Sequence, residues 1–124
     1  MKRVLFVLAM VMLSCFATQA MAADKAAISK NVDDIVAALD SGKEASSFAA
    51  DAYTPYAFIM KKDGMMIVHP TLAGQDLKEK AMPIYEALQK ATPQGVWLQY
   101  EWQGKEKNTY AKTTKSNLIV ASGY

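Results

Sequence analysis

His69 is the only histidine of this 124-residue chain and its first candidate for chemistry. An imidazole there could act as a general base, bind a metal, hydrogen-bond in a pocket, or simply pack at the end of a strand. A metal calls for three or four converging ligands. The chain has no second histidine, its one cysteine is Cys15, and its adjacent acids, Asp33 and Asp34, fall on a polar helix face, so no metal site is expected. No nucleophile elbow of the Gly-x-Ser-x-Gly type, no Gly-rich phosphate loop and no converging carboxylate pair accompanies His69. Met60, Met65, Met66 and Met82 lack the repeat of a copper-binding array and are expected to fill gaps in the core. The sequence therefore predicts neither an enzyme nor a cofactor.

A binding pocket is the better-supported chemistry. Val96, Leu98, Tyr100 and Trp102 alternate onto one face of a predicted strand, and Tyr110, Lys112 and Thr114 onto one face of the next. If the two faces coincide, Lys112 sits among tyrosine hydroxyls and a Trp edge, where its ammonium could orient a small anion in an aromatic cavity. A lysine on such a strand also has a plainer place, in solvent. Trp97, Gln99 and Glu101 take the other face, either exposed or under the N-terminal helix. The register between the strands stays open at this level.

The elements that must position these residues follow from periodicity. Ile28, Val32, Ile35 and Leu39 recur at helical spacing from Lys25 to Asp40, and Ser41-Gly42 is expected to end that helix. A second helical piece is predicted from Lys43 to about Ala52, closed by Thr54-Pro55. Asp63-Gly64 then suits a two-residue hairpin turn that sets Lys62 opposite Met65 and Phe58 opposite His69. In that register Tyr56, Phe58, Met60, Ile67 and His69 share one face, and Ala57, Ile59, Met66 and Val68 the other. Both faces are apolar, so both should be covered. Pro83 opens a helix carrying Ile84, Tyr85 and Leu88, and Thr92-Pro93-Gln94-Gly95 stops it. Three strands follow, from Val96 to Gln103, Asn108 to Lys115 and Leu118 to Tyr124, with turns at Gly104-Lys105-Glu106 and Ser116-Asn117. Five strands, mostly hairpin-connected, with one helical crossover between strands 2 and 3, predict an α+β fold with an antiparallel sheet.

Composition sets the compartment. Met1-Lys2-Arg3, an apolar run of about fourteen residues and Ala20-Met21-Ala22 read as a secretory signal peptide over residues 1–22, too short to span a membrane, leaving a domain over residues 23–124 that is soluble and periplasmic or secreted. Met12-Leu13-Ser14-Cys15 also resembles a lipoprotein cleavage box, which would leave a lipid-anchored Cys15, but Met12 and Leu13 fit it poorly. Without the leader, lysines and acids balance and no arginine remains. Nucleic acid is thus not an expected partner, and an anion must be held by lysine, hydroxyl or backbone N–H groups.

Taken in order, Pro55-Tyr56-Ala-Phe-Ile-Met, Asp63-Gly64, Val68-His69-Pro70, Leu72-Ala-Gly74, Gly95-Val-Trp97, Tyr100-Glu-Trp102, Lys107-Asn-Thr-Tyr110 and Ser122-Gly123-Tyr124 resemble a single Cache domain. This is a PAS-like extracytoplasmic sensor domain of chemoreceptors and sensor kinases that also occurs in free-standing secreted form. The resemblance implies a long N-terminal helix on one face of the sheet and a ligand pocket on the other, walled by Tyr56, Phe58, His69, Tyr100, Trp102, Tyr110 and Lys112. It also implies a small-molecule ligand such as an organic acid or amino acid. Because the chain stops on the last strand, the signal is expected to pass to a membrane-bound receptor or sensor kinase. The rival expectation is an interaction module without a ligand, a homodimer joined through the N-terminal helix with Ile28, Val32, Ile35 and Leu39.

Overall fold

The computed structural model describes residues 25–124. The expected leader, residues 1–22 with Cys15, lies outside the described residues. No helix among the described residues is long and apolar enough to cross a membrane.

Helix α1 runs over residues 25–40. Ile28, Val32, Ile35 and Leu39 form its buried stripe, joined by Val36. Each such side chain removed from water contributes about 1.5–3 kcal/mol. The helix ends as its sequence predicts: Gly42 adopts φ +111°, the Lys43 N–H bonds to the Ala38 carbonyl and the Gly42 N–H to that of Leu39, which is a Schellman cap. The second helical piece predicted from Lys43 does not form. Two 3₁₀ turns, Ala45–Ser47 and Ala50–Ala52, stand there instead. The segment lacks a continuous apolar stripe to reward an α-helix, and the Ser47 hydroxyl donates to the Glu44 carbonyl, competing locally with the helical ladder.

Strands β1 (Ala57–Lys61), β2 (Met66–Val68), β3 (Val96–Trp102), β4 (Lys105–Thr113) and β5 (Leu118–Gly123) form one antiparallel sheet in the order β2-β1-β5-β4-β3. Between β2 and β3 lie the helical turn α2 (Leu77–Lys80), capped by Asp76, and helix α3 (Met82–Leu88), with proline in its first turn. The predicted α+β class, five antiparallel strands and helical crossover are all present. Both sheet faces are covered. Ala57, Ile59, Val68 and Val120 meet α1 and the 3₁₀ turns on one side. Phe58, Met60, Met66, Leu98 and Ile119 meet Leu77, Ile84 and Leu88 on the other.

Two turns depart from the sequence reading. In the β1–β2 hairpin the Gly64 N–H bonds to the Lys61 carbonyl and Lys61 pairs with Met65, so the turn is one residue longer than predicted, with Gly64 at φ +106°. A bulge then shifts the register between Met60↔Met66 and Ile59↔Val68. The two irregularities cancel, restoring the phase in which Phe58 lies opposite His69. Between them Met66 joins the face of Phe58 and Met60, and Ile67 turns to the α1 side, the reverse of the prediction. After β3 the turn is Gln103-Gly104, both at positive φ (52° and 77°), with Trp102 opposite Lys105. Strand β4 thus begins at Lys105, three residues before the predicted start.

Candidate functional site

The β3–β4 register decides which residues can form a site together. Tyr100 stands opposite Lys107, Leu98 opposite Thr109, and Trp97 opposite Tyr110. Lys107 and Thr109 therefore share a face with Tyr100 and Trp102, and Tyr110 and Lys112 occupy the other face, against α1. The expectation that the two aromatic faces coincide is corrected. Lys112 Nζ instead pairs with Asp33 Oδ1 of α1 at 3.0 Å, and the Tyr110 hydroxyl donates to the same oxygen at 3.2 Å. These two residues fasten the helix to the sheet, beside a shallow groove of about 400 Å³ that also takes in Asp40 and Pro93.

Tyr56, Phe58, His69, Tyr100 and Trp102 do come together. With Lys107, Met66, Leu72, Leu77 and Ile84 they line a cavity on the sheet face opposite α1. Strand β1 presents Phe58, and the buried Ser122 hydroxyl of β5 donates to the Tyr56 carbonyl at 2.8 Å, fixing the residue before that strand. The loop after β2 brings Leu72 and is tied down by the Met66 N–H on the Gln75 carbonyl and the Gly74 N–H on the Met66 carbonyl. The Tyr56 and His69 rings meet edge to face at 5.3 Å between centroids, and Phe58 lies 5.8 Å from His69. Free volume is about 20 Å³, room for one water and little else.

The polar groups of this cavity are hydrogen-bond donors. His69 Nδ1 accepts from the Thr71 and Leu72 N–H groups, both at 3.0 Å, so the proton resides on Nε2. Burial lowers the imidazole to about pKa 4, and protonating Nδ1 would in addition confront two N–H donors with a third. Tyr100 is pushed up to about 12 by burial. It accepts from the Thr109 hydroxyl at 3.0 Å, leaving its own proton free to donate. Lys107 lies with Nζ 5.7 Å from the Tyr56 ring centroid, its pKa lowered by burial. It has no ion pair among the described residues, and no acid lines the cavity.

Lys107 is the residue the sequence reading passed over. The signal was present: with Gln103-Gly104 as a two-residue turn, counting back places Lys107 opposite Tyr100. A neighbouring groove of about 370 Å³, between the 3₁₀ turns and β2, reaches the other side of His69 but is open and carries only Asp51 as a charged lining group. No group of three or more metal-ligating side chains occurs among the described residues.

No family model matches the sequence, and no curated protein matches it. Five solved chains are similar to this one, among them the following two. The ligand-binding domain of Mlp24 with asparagine aligns at 22% identity and a TM-score of 0.36, over 53% of this chain and 26% of that one, so the match spans about a quarter of its length. A methyl-accepting chemotaxis protein from Vibrio parahaemolyticus RIMD 2210633 aligns at 15% identity and a TM-score of 0.51, over 86% of this chain and 91% of that one. At that identity the likeness is one of fold: this chain has a PAS-like architecture, a five-stranded antiparallel sheet with a long N-terminal helix and a helical crossover, similar in fold to the chemotaxis protein.

Proposed function

We propose that this chain is an extracytoplasmic sensor or binding domain that takes up a small organic acid and passes its bound state to a membrane-bound receptor or sensor kinase. Lys107 carries the proposal: a cation without an ion-pair partner among the described residues, at an aromatic cavity whose lining also offers the His69 Nε2–H and the Tyr100 hydroxyl as donors. A carboxylate satisfies all three, and its charge-assisted bonds are the strong ones. An amino acid would also bring an ammonium, for which the cavity holds no acid. The similarity in fold to a methyl-accepting chemotaxis protein agrees with a signalling role. The leader expected over residues 1–22 agrees with export to the periplasm.

At about 20 Å³ the cavity must open to admit even a small acid. The half-buried Tyr56, Leu72 and Trp102 are the walls with room to move. The same small volume favours a second reading, a module whose vestigial pocket is packed shut and which acts through its surface alone. The apolar stripe of α1 is not free for that role along its length, because Val32, Ile35 and Val36 are buried in the core that α1 shares with the chain's own sheet.

A thermal-shift screen of organic acids, amino acids and amines distinguishes the two readings. A ligand at a hundredfold its dissociation constant stabilises the fold by about 2.7 kcal/mol. An acid that raises the melting temperature supports the sensor; a folded protein indifferent to every compound supports the closed module.

A further inference from the structure

Among the described residues, no strand pairs with the outer edge of β3. Trp102 and Lys105 flank a two-residue turn and so form a hydrogen-bonded pair. By alternation Val96, Leu98 and Tyr100 also direct their main-chain groups to β4, and Trp97, Gln99 and Glu101 direct theirs out of the sheet. Asn108 supports this phase, since it stands opposite Gln99 but exchanges both main-chain bonds with Tyr124 on its other side. Among the described residues, no other segment bonds to the outward groups of Trp97, Gln99 or Glu101. The opposite edge of the sheet is different, because Gly74 and Gln75 cover Met66 of β2.

Charge is distributed unevenly along this edge. On the α1 face Glu101 stands directly across from Glu106, and neither has an ion-pair partner among the described residues. Like charges so placed repel. At the other end of the strand, Lys25 Nζ sits 4.9 Å from the Trp97 ring centroid, also without a described acidic partner. A second β3 strand, antiparallel and related by a two-fold axis at Gln99, would place Glu101 of each copy opposite Trp97 of the other. The acidic end of each strand then meets the Lys25 end of its mate, and the outward groups form about six main-chain hydrogen bonds, two per opposed pair.

We propose that the outer edge of β3 is a self-association surface on which a second copy of this chain adds its own β3, joining two five-stranded sheets into one. The strand has neither the proline nor the lysine that commonly blunts an exposed edge, and its only charge, Glu101, is the one the mate neutralises. Because β3 also carries Tyr100 and Trp102, the pairing sets two cavities on either side of the joint.

Sedimentation velocity on the protein produced from the full chain tests this, with Gln99→Pro as the comparison. Proline deletes an N–H that faces away from β4, leaving the hairpin ladder intact. The natural protein is expected to form dimers as its concentration rises, and Gln99→Pro to remain monomeric with unchanged far-UV circular dichroism. A natural protein that stays monomeric throughout, or a folded Gln99→Pro that dimerises equally well, overturns the proposal. Should Gln99→Pro fail to fold, the exposed substitution Glu101→Lys sets two lysines together across the joint. About tenfold weaker dimerisation is then expected, and an unchanged dissociation constant also overturns the proposal.

Discussion

Acid should destabilise this fold through His69 in particular. The unfolded imidazole takes up a proton near its ordinary value of 6.5, and the folded one only near 4, because it is partly buried and Nδ1 already accepts from two backbone N–H groups. Between those values the unfolded state binds more protons, so the stabilisation is complete above pH 6.5 and is lost as the pH falls toward 4. Full linkage over the interval from about pH 7.5 to pH 5 amounts to about 2 kcal/mol. The ring is only half-buried, and solvent screening reduces this to about 1 kcal/mol. Urea denaturation at the two pH values isolates the contribution when the natural protein is compared with His69→Asn, whose amide oxygen stands where Nδ1 does and can accept the same two N–H groups without titrating. The natural protein should lose about 1 kcal/mol more than the variant, a difference of about 4–8 °C in melting temperature for a domain of this size. Equal losses in the two proteins would refute the assignment of a neutral, acid-resistant imidazole at this position.

The fold was more legible in the sequence than the site. The stripe of Ile28, Val32, Ile35 and Leu39 and the Ser41-Gly42 stop carry strong local signals, and the structure places them as read. The pairing phase of Phe58 with His69 was also reached, although through a turn one residue too short and a bulge that no local pattern announces. Met66 and Ile67 lie between those irregularities, and their faces are therefore the reverse of what simple alternation predicts. The larger loss comes from Gln103, a non-glycine residue that at φ 52° forms half of a two-residue turn against its ordinary backbone preference. Without that turn the β3–β4 register stayed open, and Lys112 stood as the cation in place of Lys107. A single unread turn thus moved the charge of the site to the opposite face of the sheet.

Other substitutions check further parts of the structure. Lys107→Met should weaken binding of an acid by about 10–100-fold, the value of one charge-assisted hydrogen bond, as read by calorimetric titration. Lys112→Met should leave that affinity unchanged and cost at most about 1 kcal/mol of stability in urea, because its pair with Asp33 is partly exposed. Gly123→Ala should destabilise by about 2 kcal/mol or more, since a Cβ there would collide with the Asn108 carbonyl and with Thr109 across the β4–β5 ladder. Ile35→Ala should cost about 2–5 kcal/mol by leaving a void between α1 and the sheet.

The claim that this cavity is an acid-binding site is tested most directly by nuclear magnetic resonance, following backbone amide and side-chain signals while small organic acids are titrated in. The expected result is saturable shifts centred on Tyr56, His69, Tyr100 and Lys107, with the Asp33–Lys112 contact on the other face unmoved. No saturable shift from any acid, or shifts centred on Asp33 and Lys112, would contradict it.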